Sequence, residues 1–218
     1  MKNISELISG TIWNIELSTS GAIMAIEIRD EENKKVLFSI YDLEKEEWLW
    51  KNIEFEEAWW INLLAIDEER LYLNYFTDEE NPQSKKIIVV DIETKEVVNE
   101  LNEFKEFEKN KLLKLPFHYV EGSVNFDKVA HFVEQHCADK TVKAIDYLQT
   151  HSAIAISYYI YNEEELVNFL LILNLEGEEV EREKLGEGLS KVGMQTFFQV
   201  NNCLIAIKNK IELKIYKL

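Results

Sequence analysis

The sequence predicts an all-β fold built from one repeated unit, and two observations support this prediction. Segments 22–50, 70–99 and 153–182 align with one another, and each contains three β-rich runs separated by two acidic turns. The tetrapeptide DEEN fills the first turn in two of the three segments, at 30–33 and 78–81. Units of several strands that repeat every 40–50 residues or so are typical of propeller blades. We therefore expect a β-propeller of four to five blades, with about 42–49 residues per repeat.

The period of the repeat follows from the polar residue that precedes the second acidic turn of each unit. Asp42, Asp91 and Asn174 fill this position, at intervals of 49 and then 83 residues, which is about twice 42. One more step of 42 residues reaches Tyr216 in the closing run IELKIYKL. Five positions therefore fit the period, with one divergent unit between residues 101 and 140.

Each unit is expected to begin with an inner strand. These strands are predicted at 10–18, 58–66, 143–150 and 193–200, where β-branched, aromatic and polar residues alternate. The last unit has three runs rather than four. We expect the N-terminal segment 4–9 to supply the missing outer strand and close the last blade, because an unpaired sheet edge invites aggregation.

The segment 101–140 departs from the repeat and leaves two interpretations open. Within NFDKVAHFVEQH (125–136), one side of a helical wheel collects four apolar residues, and Asn125 would be the N-cap: Phe126, Val129, Phe132 and Val133. The same residues could instead form a degenerate pair of strands. The chain is then either five blades or four blades with a helical insertion, and the period slightly favours five. In both cases residues 1–218 are predicted to form a single domain.

The composition limits the classes of partner. There are 41 acidic against 24 basic residues, for a net charge of −17, so binding to nucleic acid or to an anionic membrane is disfavoured. No glycine-rich phosphate loop is present, and no cofactor is expected. The chain shows no secretory signal or membrane-spanning run, and two distant cysteines do not make a disulfide framework. A cytoplasmic protein is therefore expected.

Several β-rich runs resemble those of known propellers. The runs ISYY (156–159), TFF (196–198) and ELKIY (212–216) are similar to those of a bacterial propeller-like family that is known only as a domain of unknown function. The three-strand units also resemble WD40-like repeats, although the dipeptides GH and WD are absent. The resemblance implies the propeller fold and no catalytic residue.

The acidic turns are candidate cation sites. Corresponding propeller loops emerge on one face, which would bring Asp30 and Glu32 near Asp78 and Glu80 as a rim for Ca²⁺ or a basic partner. Calcium loops usually contain a glycine for their sharp turn, and these turns have none. Solvated turns are the simpler interpretation, and no metal is expected.

Catalysis has weak candidates. Glu16 and Asp146 are acidic residues on the expected inner strands, and a glycoside hydrolase needs two carboxyl groups facing one pocket. With 41 acidic residues, such a pair carries little information. Cys137 follows His136 directly, but adjacency in sequence does not create the geometry of a nucleophile and its base.

Five tryptophans lie in the first part of the chain. Trp13, Trp59 and Trp60 are candidate ligand contacts, since exposed aromatic rings stack against sugars and other ligands. The alternative is that they fill the core between blades. Alternation also predicts that Trp48 and Trp50 share one face of a strand.

The sequence thus favours a non-catalytic binding or interaction propeller that presents acidic loops to a protein or a small ligand. A glycoside-hydrolase-like enzyme that uses channel carboxylates and a calcium-binding module are the alternatives.

Overall fold

The computed structural model describes residues 1–55, 59–78, 81, 84–105 and 112–218, and these residues form antiparallel sheets and one helix. The elements are, in chain order, β1 (Lys2–Leu7), β2 (Thr11–Leu17), β3 (Ile23–Asp30), β4 (Lys35–Asp42), β5 (Glu47–Glu54), β6 (Ile61–Ile66), β7 (Arg70–Phe76), β8 (Lys85–Asp91), β9 (Val97–Leu101), β10 (Phe117–Val120), α1 (Val124–Cys137), β11 (Val142–Gln149), β12 (Ile154–Asn162), β13 (Glu165–Leu173), β14 (Glu179–Gly186), β15 (Phe197–Val200), β16 (Cys203–Lys208) and β17 (Glu212–Lys217). The chain divides into two compact units, Leu7–Leu113 and Lys114–Leu218 with Met1–Glu6. We call them the 7–113 unit and the 114–218 unit.

The 7–113 unit contains two four-stranded sheets in the orders β2-β3-β4-β5 and β6-β7-β8-β9. Each strand pairs antiparallel with the next one in the chain. Apolar side chains from one face of each sheet pack together into a shared core, with Ile40 and Trp50 from the first sheet and Leu63 and Leu73 from the second. Burial of these alternating side chains is the main driving force for the pairing of the sheets.

The 114–218 unit contains a five-stranded sheet, β10-β11-β12-β13-β14, and a four-stranded sheet, β1-β17-β16-β15. Leu170 and Ile172 of the first sheet pack against Leu204 and Tyr216 of the second. Strand β1 pairs with β17, so the expectation that the N-terminal segment completes the last blade is confirmed.

The sheet order confirms the all-β, propeller-like fold. Each expected inner strand is present as β2, β6, β11 or β15, and each begins the run of sequential strands in its sheet, although β10 is added beside β11. The described residues form four blade sheets, so the slight preference for five blades is wrong. The single-domain assignment of residues 1–218 stays a prediction.

The helix α1 explains why residues 101–140 depart from the repeat. Its N-cap is Ser123, whose side chain accepts a hydrogen bond from the Phe126 amide, and the cap expected at Asn125 is wrong. Phe126 and Val133 are buried against the five-stranded sheet, as the helical wheel predicts. The left-handed Ala138 ends the helix. In the described part of the chain, no helix has the length and apolarity needed to span a membrane.

The polar residue that sets the period of the repeat is a turn cap. The Asp42 Oδ1 atom accepts hydrogen bonds from the amides of residues 44 and 45 at 2.9 and 2.8 Å. Asp91 makes the same two bonds to residues 93 and 94, at 3.0 and 2.8 Å. Asn174 accepts from the Glu178 amide at 2.8 Å. A short polar side chain is kept at this position because it satisfies the backbone of the turn.

Candidate functional site

A β-bulge presents Trp13 to solvent. In the pairing of β2 with β3, Ile12 lies opposite Ile28 and Asn14 opposite Glu27, so Trp13 is an extra residue without a partner across the ladder. Bulges redirect side chains, and the Trp13 side chain is 62% exposed. Tryptophan is highly buried on average in folded proteins, so this exposed indole is a candidate ligand contact.

Arg29 lies close to two indole rings. Its guanidinium carbon is 5.8 Å from the centre of the Trp13 ring and 4.9 Å from that of Trp59. The ammonium nitrogen of Lys34 is also 4.9 Å from the Trp59 ring. These distances are in the range of cation–π attraction. We call Trp13, Glu27, Arg29, Lys34 and Trp59 the tryptophan–arginine cluster.

Glu27 fixes the position of Arg29. It is 1% exposed, and its Oε1 atom accepts from Arg29 Nε at 2.7 Å, while Oε2 accepts from the Leu63 amide at 2.7 Å. Arg29 also donates to the carbonyls of Trp59 and Ile61 at 3.0 and 3.1 Å. The pair therefore joins β3 to the beginning of β6. Charge-assisted bonds of this kind are strong, and a buried ion pair must have them to offset desolvation.

Glu16, one of the two catalytic candidates, lies two residues from Asn14 on β2 and is partly buried. The side-chain Nδ2 atom of Asn14 is 3.4 Å from both Glu16 Oε1 and the Leu63 carbonyl oxygen. Burial raises the pKa of Glu16 above its usual 4.5, and the hydrogen bond from Asn14 partly opposes this. A raised pKa is what a general acid needs, but a hydrolase also needs a second free carboxyl group.

Asp146, the second catalytic candidate, lies in the 114–218 unit and is 2% exposed. Its Oδ2 atom accepts from the amide and hydroxyl of Thr196 at 2.8 and 2.9 Å, and its Oδ1 atom is 2.7 Å from Nδ1 of His118. In a Ser-His-Asp triad the histidine bridges the other two groups, whereas here the carboxylate is the bridge. The arrangement ties the segment before β15 to β11, which is a structural task.

The first acidic turn is closed by its own carboxylate, that of Asp30, and the described part of the second is closed by backbone hydrogen bonds. Asp30 accepts hydrogen bonds from the Asn33 amide and side chain at 3.0 and 2.7 Å, and these bonds hold its pKa below the usual 3.8. Glu32 is exposed in the same turn. The Asp78 carbonyl oxygen accepts from the Asn81 amide at 3.3 Å, and Glu80 lies outside the described residues. In the ranges that the structure describes, no three His, Cys, Asp or Glu side chains are grouped to hold a metal ion.

The three tryptophan candidates divide by exposure. Trp59 is half-buried against the core and carries the two cations described above. Trp60 is 40% exposed, and its carbonyl oxygen accepts from the Phe76 amide. Trp13 and Trp60 are therefore the candidates with indole surface open to a ligand, while Trp59 is part of the frame.

The end of α1 forms a closed polar cluster. The Tyr158 hydroxyl donates to Asp139 at 2.6 Å and accepts from Arg182 Nε at 3.0 Å, and Arg182 also pairs with Asp139. Burial raises the pKa of Cys137 beside this group, which disfavours the thiolate. The Cys137–His136 pair therefore lacks the activated thiolate that nucleophilic catalysis requires.

An open cavity of about 630 Å³ lies at the turns of the 7–113 unit, lined among others by Lys45, Glu68, Asp91 and Lys95. Three of these charges are already engaged. Glu68 accepts from the Ser20 amide at 2.9 Å, Asp91 caps its own turn, and Lys45 lies 3.4 Å from Asp42. The cavity is therefore a weaker candidate site than the exposed tryptophans.

Sequence reasoning missed Glu27 and Arg29. Both lie in the run AIEIRD, two residues apart on a strand whose other residues are almost all apolar. A charged pair inside a buried strand is the signal that identifies them, because such charges are rarely buried unless they are paired.

Part of the chain matches the model of a known protein family. A family model described as "Domain of unknown function (DUF4905)" matches residues 17–98. The matching family has no known function. The match confirms the predicted similarity to a family that is known only as a domain of unknown function. The runs at 156–159, 196–198 and 212–216, which suggested that similarity, lie outside the matched residues. No curated protein matches this chain.

Among solved structures, the chain is similar to the β-propeller domain of the Trilobed protease from Pyrococcus furiosus. The sequence identity is 14%, the match covers 94% of this chain and 81% of the other, and the TM-score is 0.33. A similarity this low carries no argument, and the fold assignment rests on the order of the strands in each sheet.

Proposed function

We propose that this protein is a non-catalytic binding module that holds a protein or a small ligand against the exposed tryptophans of its 7–113 unit. The observation that carries the proposal is the exposure of Trp13, which is 62% exposed on a β-bulge. Next to it, the Glu27–Arg29 ion pair holds β3 to the beginning of β6. Tryptophan and arginine are the residues most enriched at binding hot spots. A rigid frame also lowers the entropy lost on binding.

The alternatives have less support. A hydrolase that uses Glu16 and Asp146 requires free carboxyl groups, and Asp146 is occupied by Thr196 and His118. A calcium module that uses Asp30 requires carboxylate oxygens that are not spent on the turn itself. The net charge of −17 favours partners other than nucleic acid or membrane. Cys137 and Cys203 form no disulfide, which supports a reducing compartment such as the cytoplasm.

The experiment is a binding survey with matched variants. Wild type, Trp13→Ala and Trp60→Ala are applied to an array of basic, neutral and acidic 12-residue peptides and to a panel of free sugars. Phe117→Ala is the control, because Phe117 is 66% exposed on β10 in the other unit. Each bound probe is then eluted, and its mass is measured by mass spectrometry to detect any chemical change.

The expected result is a defined set of probes that bind wild type and the Phe117 variant, lose binding in both tryptophan variants, and are recovered unchanged. Binding that survives both tryptophan changes would place the site elsewhere. A probe recovered in hydrolysed form would replace the binding module with an enzyme.

A further inference from the structure

The tryptophan–arginine cluster is a ladder of alternating rings and cations. In order along it lie Trp13, Arg29, Trp59 and Lys34, with ring-to-cation distances of 5.8, 4.9 and 4.9 Å. One end is Lys34, and the other end is the indole of Trp13. An indole face attracts cations through its quadrupole. A cation on the open side of Trp13 would continue this alternation.

Arg29 cannot itself serve as the recognition group. Its guanidinium bonds to the Glu27 carboxylate and to the carbonyls of Trp59 and Ile61, which leaves it held within the protein. The charge of Glu27 also neutralises that of Arg29. A second cation on the open side of Trp13 therefore meets little net repulsion from beneath the ring.

The charges around the ladder favour a basic partner. Residues 23–35 carry four acidic and three basic side chains, and Glu54 on β5, which pairs with Lys35, is a fifth acidic one: Glu27, Asp30, Glu31, Glu32 and Glu54 against Arg29, Lys34 and Lys35. Asp30 and its neighbours Glu31 and Glu32 are exposed or partly exposed. Lys35 is paired with Glu54 at 2.8 Å and Arg29 with Glu27, so three turn carboxylates remain against one basic side chain, that of Lys34. The whole chain, at −17, adds to this attraction.

We infer that Trp13 binds an arginine or lysine side chain on an extended segment of a protein partner. Trp60, which follows Trp59 of the cluster in sequence, is proposed to contribute to the same contact. The inference rests on the proposed function and narrows its partner to a basic peptide. The side chain lies against the open face of Trp13, and the turn carboxylates of residues 30–32 attract neighbouring basic residues. Arginine is the preferred group, because its planar guanidinium stacks on an aromatic ring.

The test uses a peptide with two arginines between glycines and an N-terminal fluorophore, titrated with the full chain and followed by fluorescence anisotropy. A matched peptide carries citrulline, which keeps the shape of arginine but has no charge. Free arginine and spermidine are separate arms that distinguish a peptide partner from a small cation. The protein variants are Trp13→Ala, Trp13→Phe, Trp60→Ala and the control Phe117→Ala.

The expected result is saturable binding of the arginine peptide that weakens with salt and is at least about tenfold tighter than that of the citrulline peptide. Trp13→Ala weakens it about 5- to 30-fold, Trp13→Phe weakens it less, and Phe117→Ala leaves it unchanged. Trp13 is exposed, so these variants are expected to fold, and circular dichroism checks this.

Three outcomes would overturn the inference: equal binding of both peptides, no binding of the arginine peptide, or equal competition by free arginine or spermidine. Two further outcomes distinguish a failure of this inference from a failure of the proposed function. A neutral peptide or a sugar that binds and depends on Trp13 would keep the binding module and discard the basic partner. An absence of any Trp13-dependent probe would discard both.

Discussion

Replacing Glu27 by glutamine is expected to destabilise the protein strongly. The substitution keeps an oxygen that can accept from the Leu63 amide, but it places an uncharged amide against the Arg29 guanidinium. Glu27 is buried and the Arg29 side chain is largely buried, so the remaining positive charge has little water to solvate it. The change therefore leaves a cation without its counter-charge rather than merely removing one bond.

The size of the effect follows from this burial. Removing one partner of a buried ion pair costs about 3–5 kcal/mol. In a protein of this size, 1 kcal/mol corresponds to about 2–4 °C in the unfolding midpoint, so a decrease of about 6–20 °C is expected. Glu100→Gln is the control, because Glu100 pairs with Lys86 at the same kind of distance, 2.9 Å, with both side chains about half exposed. That variant should change stability by less than about 1 kcal/mol.

The assay is thermal unfolding at pH 7, followed by circular dichroism and by tryptophan fluorescence. The double variant Glu27→Gln with Arg29→Gln should be less destabilised than the two single changes added together, since neither charge is then stranded. A midpoint for Glu27→Gln as close to wild type as that of Glu100→Gln would refute this reasoning. Glu27 and Arg29 would then not be the frame beneath Trp13.

Two further predictions concern single residues of the 7–113 unit. Because burial raises the pKa of Glu16 above 4.5, the stability due to its neutral form is present below pH 4.5 and is lost as pH rises through the raised pKa. Glu16→Gln should therefore unfold at a higher temperature than wild type at pH 7, with the difference disappearing at pH 4, and equal midpoints at pH 7 would contradict this. Gly10 has φ +135° and its added Cβ would lie 2.9 Å from the Arg29 carbonyl oxygen, so Gly10→Ala should cost about 1–3 kcal/mol in a denaturant melt. Gly122→Ala is its control, since Gly122 has φ +85° with open space around it, and an equal loss in both would exclude the contact as the cause.

The repeat and the strands could be predicted because they depend on local signals. Alternation of apolar residues marks the strands, and the turn caps at Asp42 and Asp91 mark the period. The helix α1 was one of two open interpretations, because its wheel pattern also fits a short strand pair. The helix is capped by Ser123 rather than Asn125, because serine and asparagine are equally good N-caps and the sequence alone does not choose between two that lie so close together.

The site was less predictable because bulges break the alternation of strands. Trp48 and Trp50 were expected on one face, but Trp48 lies opposite Tyr41 and Trp50 opposite Ile40, so the ladder irregularity turns them to opposite faces. The bulge at Trp13 acts in the same way, and neither bulge has a marker such as glycine in the sequence. Glu27 and Arg29 contact Leu63 and Trp59, which are 36 and 30 residues away, and a local sequence pattern does not report such contacts.

The contact surface is tested most directly by following the five indole N–H groups by ¹⁵N–¹H NMR while the arginine peptide is added. Each signal is assigned with a Trp→Phe variant. We expect the Trp13 and Trp60 signals to shift with the peptide, and the signal of Trp50, whose indole N–H donates to the Ile92 carbonyl at 2.7 Å, to stay in place. Saturable binding with unmoved Trp13 and Trp60 signals would show that these two residues do not form the contact surface.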